Sequence, residues 1–175
     1  MAGAKALSAR PSDQAQSQRR IVGQFWDALE RAVAALSLDF KAVRLYQDGL
    51  PICGHEADIV AQLAATGSRN HRLLRGLMDR GATLSGTESG ELLVEEYELL
   101  RQSLLPGIDP KKHRELSTAI LAKRDVFIAK RIANTLCPGE TGILFIGLMH
   151  NIEPGLTDAG IEVSYPIGKP KIRMV

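Results

Sequence analysis

The chain reads as an α/β protein: a single domain on a small, mainly parallel sheet of about four strands covered by helices, with a long amino-terminal helix. Three observations predict this. Helical and strand-like segments alternate along the chain. No two strand-like segments are joined by a tight hairpin signal. The most strand-like run, at 142–146, is short, apolar and bounded by turn residues, as buried strands are. At 175 residues the chain suits one domain with a real core.

Residues 1–11 are rich in Ala, Ser, Gln and Arg and read as a flexible amino terminus ahead of a domain at 12–175. They lack the apolar core of a signal peptide. Over 12–38 the residues Ile21, Val22, Phe25, Leu29, Val33 and Leu36 recur at helical steps, with Ser12 as N-cap. This amphipathic helix either covers the sheet or packs on a second copy of itself, giving a homodimer. Residues 42–46 read as a strand ended by the turn at Asp48-Gly49. Helices follow at 57–65 and 68–79, the second capped by Ser68. Residues 82–85 form a weak strand, and 86–90 turn into a helix at 91–104 with Leu93, Tyr97, Leu100 and Leu104 as its apolar face. A break at Pro106, Gly107 and Pro110 leads to a long helix at 111–136. The strand 143–146, a helix or turn at 153–159 and a last strand at 161–165 complete the order.

The formal net charge is +2, and basic residues are interspersed with acids, so nucleic acid is not an expected partner. No run is long enough to cross a bilayer. The two cysteines, Cys53 and Cys137, are far apart and suggest no disulfide framework. A soluble, cytoplasmic chain with reduced thiols is expected.

Parallel strands bring their carboxyl ends to one edge, where open α/β sheets bind ligands. The three strand ends supply Asp48, Glu88 and His150. Carboxylates converging on an imidazole suit a divalent metal, with His150 and Glu88 as first ligands, or acid–base work. Asp48 before Gly49 also suits a plain turn, and Glu88 before a helix suits the helix dipole. On a helical wheel of the long helix, Leu116, Ile120, Phe127, Ile128 and Ile132 share one face with Arg124, and Arg131 lies close to it. A charge on a buried stripe needs a partner. Glu88 or Glu96 is the expected partner of Arg124, while the stem of Arg131 could instead snorkel across the core edge.

Arg124-Asp125, Ile132, Leu136, Gly139-Glu140, Gly147-Leu148-Met149-His150, Leu156 and Gly160 make the carboxyl-terminal third resemble the TraB/Tiki/erythromycin-esterase-like superfamily. There an arginine-bearing helix leads into a strand ending in G-x-x-H. The resemblance implies a metal-dependent hydrolase or a ligand-binding protein, and singles out Arg124, Gly147 and His150. The expected function is a hydrolase-like site taking a small-molecule or peptide ligand. His150, Glu88 and Arg124 are the catalytic candidates, with Asp48, Glu96, Gly147 and Arg131 as ligand contacts. The alternative is a non-catalytic binding or regulatory module that dimerises through its amino-terminal helix.

Overall fold

Three short runs of alternating and β-branched residues pair side by side in the structure, a computed structural model that describes residues 11–166 and 168. They are β1 (Val43–Gln47), β2 (Thr83–Ser85) and β3 (Thr141–Phe145). The order is β2-β1-β3 and both pairings are parallel. Leu45 lies opposite Leu84 on one side and Ile143 on the other. As the central strand, β1 is covered on both faces, and Val43, Leu45, Tyr46 and Gln47 are all buried.

The described helices are α1 (Pro11–Ala34), α2 (Glu56–Ala65), α3 (Arg69–Asp79), α4 (Gly90–Ser103), α5 (Pro110–Thr135) and α6 (Glu153–Asp158). Asp109 caps α5 by accepting from the Lys111 N–H at 2.9 Å, and Pro110 follows at the first helical position. Helix α2 packs on α3, α4 on α5, and α5 on α6. One core cluster joins Tyr46 to Ile128, Ala129, Ile132, Ile152 and Leu156, with Leu144 and Ile146 packed against it. The Tyr46 hydroxyl is held by Thr135 Oγ1 at 2.9 Å, so a buried ring keeps a partner for its polar tip. Arg44 binds Glu140 through two bonds of 2.7 and 2.8 Å, joining β1 to the turn before β3. Hydrogen bonding from Arg44 lowers the Glu140 carboxyl to about 2.

Chain contacts divide the molecule into two compact units, one containing α1 and the other residues Leu38–Tyr165. Within α1, Ile21, Val22 and Phe25 are exposed, and the Phe25 and Trp26 rings meet edge to face at 6.1 Å. The described helix takes in Ser12, the expected N-cap, and ends at Ala34. The rest of the expected flexible stretch, residues 1–10, lies outside the described residues.

Two expectations are corrected. The sheet has three strands among the described residues, not four. Residues 161–165 form no ladder, although Ile161 and Val163 pack against the core. Their alternation records burial on one side, and the Ile161 N–H closes a turn onto Leu156 instead. In α4 the face Leu93, Tyr97, Leu100 and Leu104 is largely open, with Leu104 80% exposed. The inward stripe runs instead through Leu92, Glu96 and Leu99. An ion pair of Glu96, described below, turns that stripe inward.

Parallel pairing continues past the ends of β1 and β2. The N–H groups of Thr87 and Glu88 donate to Leu50 O, and the Ile52 N–H donates to Glu88 O. Gly86 sits in this close approach. A Cβ there would lie 2.8 Å from Ile52 Cα and from Pro51 O. Gly86→Ala should therefore lower the unfolding free energy by about 1–3 kcal/mol, read from denaturant melts, because backbone must shift to admit the methyl group.

Candidate metal centre

The carboxyl ends of β1, β2 and β3 carry Asp48, Glu88 and, after Gly147, His150. The order β2-β1-β3 makes the gap between β1 and β3 the point where the chain's path reverses direction across the sheet. This is where parallel sheets open a crevice.

Glu88 reaches this edge because segment 50–52 holds its backbone on both sides. Its side chain is fully buried. Thr87 supports it from below: its hydroxyl accepts the Gln47 N–H at 3.0 Å and donates to Ser85 O. Arg124 enters from α5, four residues before Ile128 and so on the same inward stripe. It is only 5% exposed.

The guanidinium is fully engaged. Nε donates to Glu88 Oε2 at 3.3 Å and Nη2 to Glu88 Oε1 at 2.6 Å. Nη2 also donates to Asp48 Oδ1 at 2.6 Å. Nη1 meets both oxygens of Glu96 at 2.7 and 2.8 Å. Burial pushes the guanidinium pKa down, but the bond to Glu88 and the charges of Glu88, Glu96 and Asp48 raise it above the ordinary arginine value.

His150 lies between two carboxylates. Its Nδ1 is 2.5 Å from Asp125 Oδ1, and its Nε2 is 3.3 Å from Asp48 Oδ2. Asp125 Oδ2 accepts the Asn151 N–H at 2.9 Å, and Asp48 Oδ2 accepts the Gly147 N–H at 3.0 Å. Both ends of the loop bearing His150 are therefore fastened. Burial pushes the imidazole pKa down, yet bonds to Asp48 and Asp125 raise it above the ordinary value. Burial likewise pushes Asp48 up, but His150, the Gly147 N–H and Arg124 together hold its carboxyl well below the usual carboxylate range.

The structure thus brings Asp48, Glu88, Glu96, Arg124, Gly147 and His150 into one connected network. Arg131 is not in it: its Nε donates to Gly86 O at 3.0 Å, which secures the close approach beside Pro51. Asp125 also belongs to the network, although its sequence position alone did not mark it as a site residue. Its signal is positional, an acid directly after the buried arginine and one step round the helix. One oxygen or nitrogen from each of Asp48, Glu88 and His150 lies within 4.8 Å of the others, a spacing compatible with a shared cation. Four carboxylates face one guanidinium and one imidazole, so the cluster has an excess of negative charge.

The chain matches no protein-family model, no curated protein and no solved structure. Among the described residues, no helix is long and apolar enough to cross a membrane.

Two outcomes follow from this electrostatics. Arg124→Met should cost about 3–5 kcal/mol in denaturant unfolding, because it strands Glu88 without a counter-charge. Adding Glu88→Leu to that variant should recover part of the loss. A raised imidazole pKa stabilises the fold below the unfolded value of 6.5, and that contribution disappears as pH rises through the folded value. Melting temperature should therefore fall on going from pH 6 to pH 9, and His150→Gln should flatten this limb. The depressed Asp48 has the opposite sign, and its contribution is lost only in strong acid.

Proposed function

We propose that this sheet edge is the divalent-cation site of a hydrolase-like protein, with Asp48, Glu88 and His150 as ligands and a small-molecule or peptide substrate. The observation that carries the reading is the orientation of His150. Asp125 holds Nδ1, which leaves Nε2 directed at Asp48, 3.3 Å away. Carboxylate–histidine pairs of this kind fix the tautomer and ring direction of metal-binding histidines. The donor set of two carboxylates and one imidazole suits zinc or manganese. The excess of carboxylates favours a further positive charge.

A bound ion would supply Lewis acidity and a more acidic water. The chain's own residues have separable tasks. Glu88 and Asp48 present oxygens, and Arg124 keeps those oxygens in place at 2.6 Å. The Gly147 N–H positions Asp48 Oδ2, and Asp125 orients His150. Arg124 works as a positioning group rather than an anion receptor, since its donors are already directed at carboxylates. The resemblance around Gly147 and His150 supports the same reading.

A second reading, a non-catalytic binding or regulatory module, is favoured by that same saturation of Arg124, which leaves the guanidinium no free donor for a developing oxyanion. The exposed Ile21, Val22 and Phe25 of α1 suit dimerisation in either case.

Thermal melts with zinc, manganese or magnesium chloride test the cation site. An ion at a hundred times its dissociation constant should stabilise the wild type by about 2.7 kcal/mol. The gain should vanish in Asp48→Asn and in His150→Ala. No shift with any of the three ions ends the metal reading. A shift without turnover of ester, amide or phosphoester substrates supports the module.

A further inference from the structure

The loop that carries His150 also carries two side chains for which the cation site has no task. The His150 N–H donates to Gly147 O at 3.2 Å and closes a turn with Leu148 and Met149 at its corners. Turn corners ordinarily take Gly, Pro, Asn, Asp or Ser, which suit the backbone there. Here they carry two large apolar side chains, both mostly exposed. The turn cannot swing them inward without breaking bonds on either side of it. The Gly147 N–H is held by Asp48 Oδ2 at 3.0 Å, and the Asn151 N–H by Asp125 Oδ2 at 2.9 Å.

The pair stands where the cluster opens to solvent. Of the three proposed ligands, Glu88 is fully buried and His150 nearly so, while the Asp48 side chain is 23% exposed. A molecule that reaches the ligands therefore comes over Asp48, the side on which Gly147 is bound and the turn begins. Charge sets a second limit on that molecule. The donors of Arg124 are already directed at carboxylates. A divalent ion would bring four carboxylates, one guanidinium and one imidazole close to neutrality. That leaves no surplus positive charge to attract a free acid or a phosphomonoester. Apolar side chains beside a near-neutral centre suit an uncharged group with a hydrocarbon chain.

We propose that Leu148 and Met149 form a subsite for the apolar chain of the substrate, which makes that substrate an uncharged ester or amide bearing a hydrocarbon chain. The inference rests on the cation-site reading and narrows its substrate class. The chain would cover two side chains that now face water, and burial of that apolar surface drives its binding. Because both ends of the turn are fastened, little order has to be imposed on it when the chain arrives. Met149 is unbranched and flexible, so it can follow chains of different shape. The division of labour is simple. Asp48, Glu88 and His150 hold the ion, and the turn selects what is brought to it. Leu148 and Met149 set specificity and touch no reacting atom.

The test uses the full chain with zinc chloride and two probes, acetohydroxamate and octanohydroxamate. The probes share one zinc-chelating group and differ only in chain length. Titration calorimetry reads their affinities, and a thermal melt with zinc alone reads the ion. Each methylene fully buried adds about fourfold in affinity. A turn that covers part of the chain should therefore make octanohydroxamate bind at least about tenfold more tightly. Leu148→Ser combined with Met149→Ser should abolish that advantage while the zinc-induced melting shift persists. Leu148→Asn alone, which should reduce the advantage, replaces the double variant if that does not fold. Tyr97→Ser, on the exposed face of α4, should leave the advantage intact. Equal affinities for the two probes, with the zinc shift present, overturn the subsite and leave the cation site standing. So does an advantage that survives in a folded turn variant or disappears in Tyr97→Ser. Absence of any zinc shift ends the cation site, and the subsite with it.

Discussion

The buried guanidinium of Arg124 is the constraint around which this fold is arranged. Removing a charge from water is costly, and a buried guanidinium is tolerable only when its donors are met by well-placed acceptors. Arg124 meets three carboxylates from three parts of the chain. Asp48 follows β1, Glu88 follows β2, and Glu96 projects from α4. One side chain on α5 therefore fixes the distance from that helix to the sheet edge and the rotation of α4 about its axis. The outward position of Tyr97 and Leu100 follows from it. Helix α4 satisfies a buried charge before it buries its most apolar face.

Asp48 is where this structural requirement meets the chemistry. One of its oxygens serves Arg124, and the other serves Gly147 and His150. The network from Glu96 to Asp125 is thus continuous, passing through Arg124, Asp48 and His150. Such networks polarise their members and resist piecemeal change. The loop they hold also carries Leu148 and Met149, which are 60% and 70% exposed. A loop with apolar side chains in solvent and a buried, doubly bonded histidine is anchored by polar groups alone. That separates the two jobs: packing is left to β3 and α6, and placement of His150 to two aspartates.

Much of this was legible before the structure. Arg124 stands out because a charge at helical spacing among Ile120, Ile128 and Ile132 must have a partner, whatever the fold. Its acids were legible as the carboxylates nearest the expected sheet edge and the neighbouring helix. Asp125 was not, because it lies off the apolar stripe and its partner comes twenty-five positions later in a loop. The segment 161–165 misleads for a related reason. Alternation reports which side chains face the core, and it is silent on whether backbone groups find a ladder. The face of α4 misleads because hydrophobicity ranks side chains one at a time, while the inward stripe is chosen by an ion pair with a residue 28 positions away. Ser68 takes the N-cap position of α3, yet its hydroxyl meets His71 Nδ1 at 2.7 Å and no N–H of the first turn. Spacing shows a serine three residues before a histidine at a helix start, but whether the hydroxyl caps the helix or meets the ring is a matter of rotamer.

The smallness of the sheet explains why so many polar groups collect at one place. With three strands, only β1 has a neighbour on both sides. In a parallel sheet all carboxyl ends share an edge, so residues just past β1 have the ends of β2 and β3 to left and right. Asp48 is such a residue, and Glu88 and His150 are what the flanking strands bring to it. Beyond that edge, no fourth strand among the described residues covers the crevice with apolar side chains. Helix α5 covers it instead, and the residue it presents there is an arginine. A leucine at 124 would leave the fully buried Glu88 without a counter-charge and Asp48 with His150 alone. Arginine resolves that conflict through its two-pronged geometry, which reaches both acids from one nitrogen at 2.6 Å. The acids at the edge and the arginine on the helix are therefore mutually required. Any substitution that keeps the fold while changing one must compensate at the other.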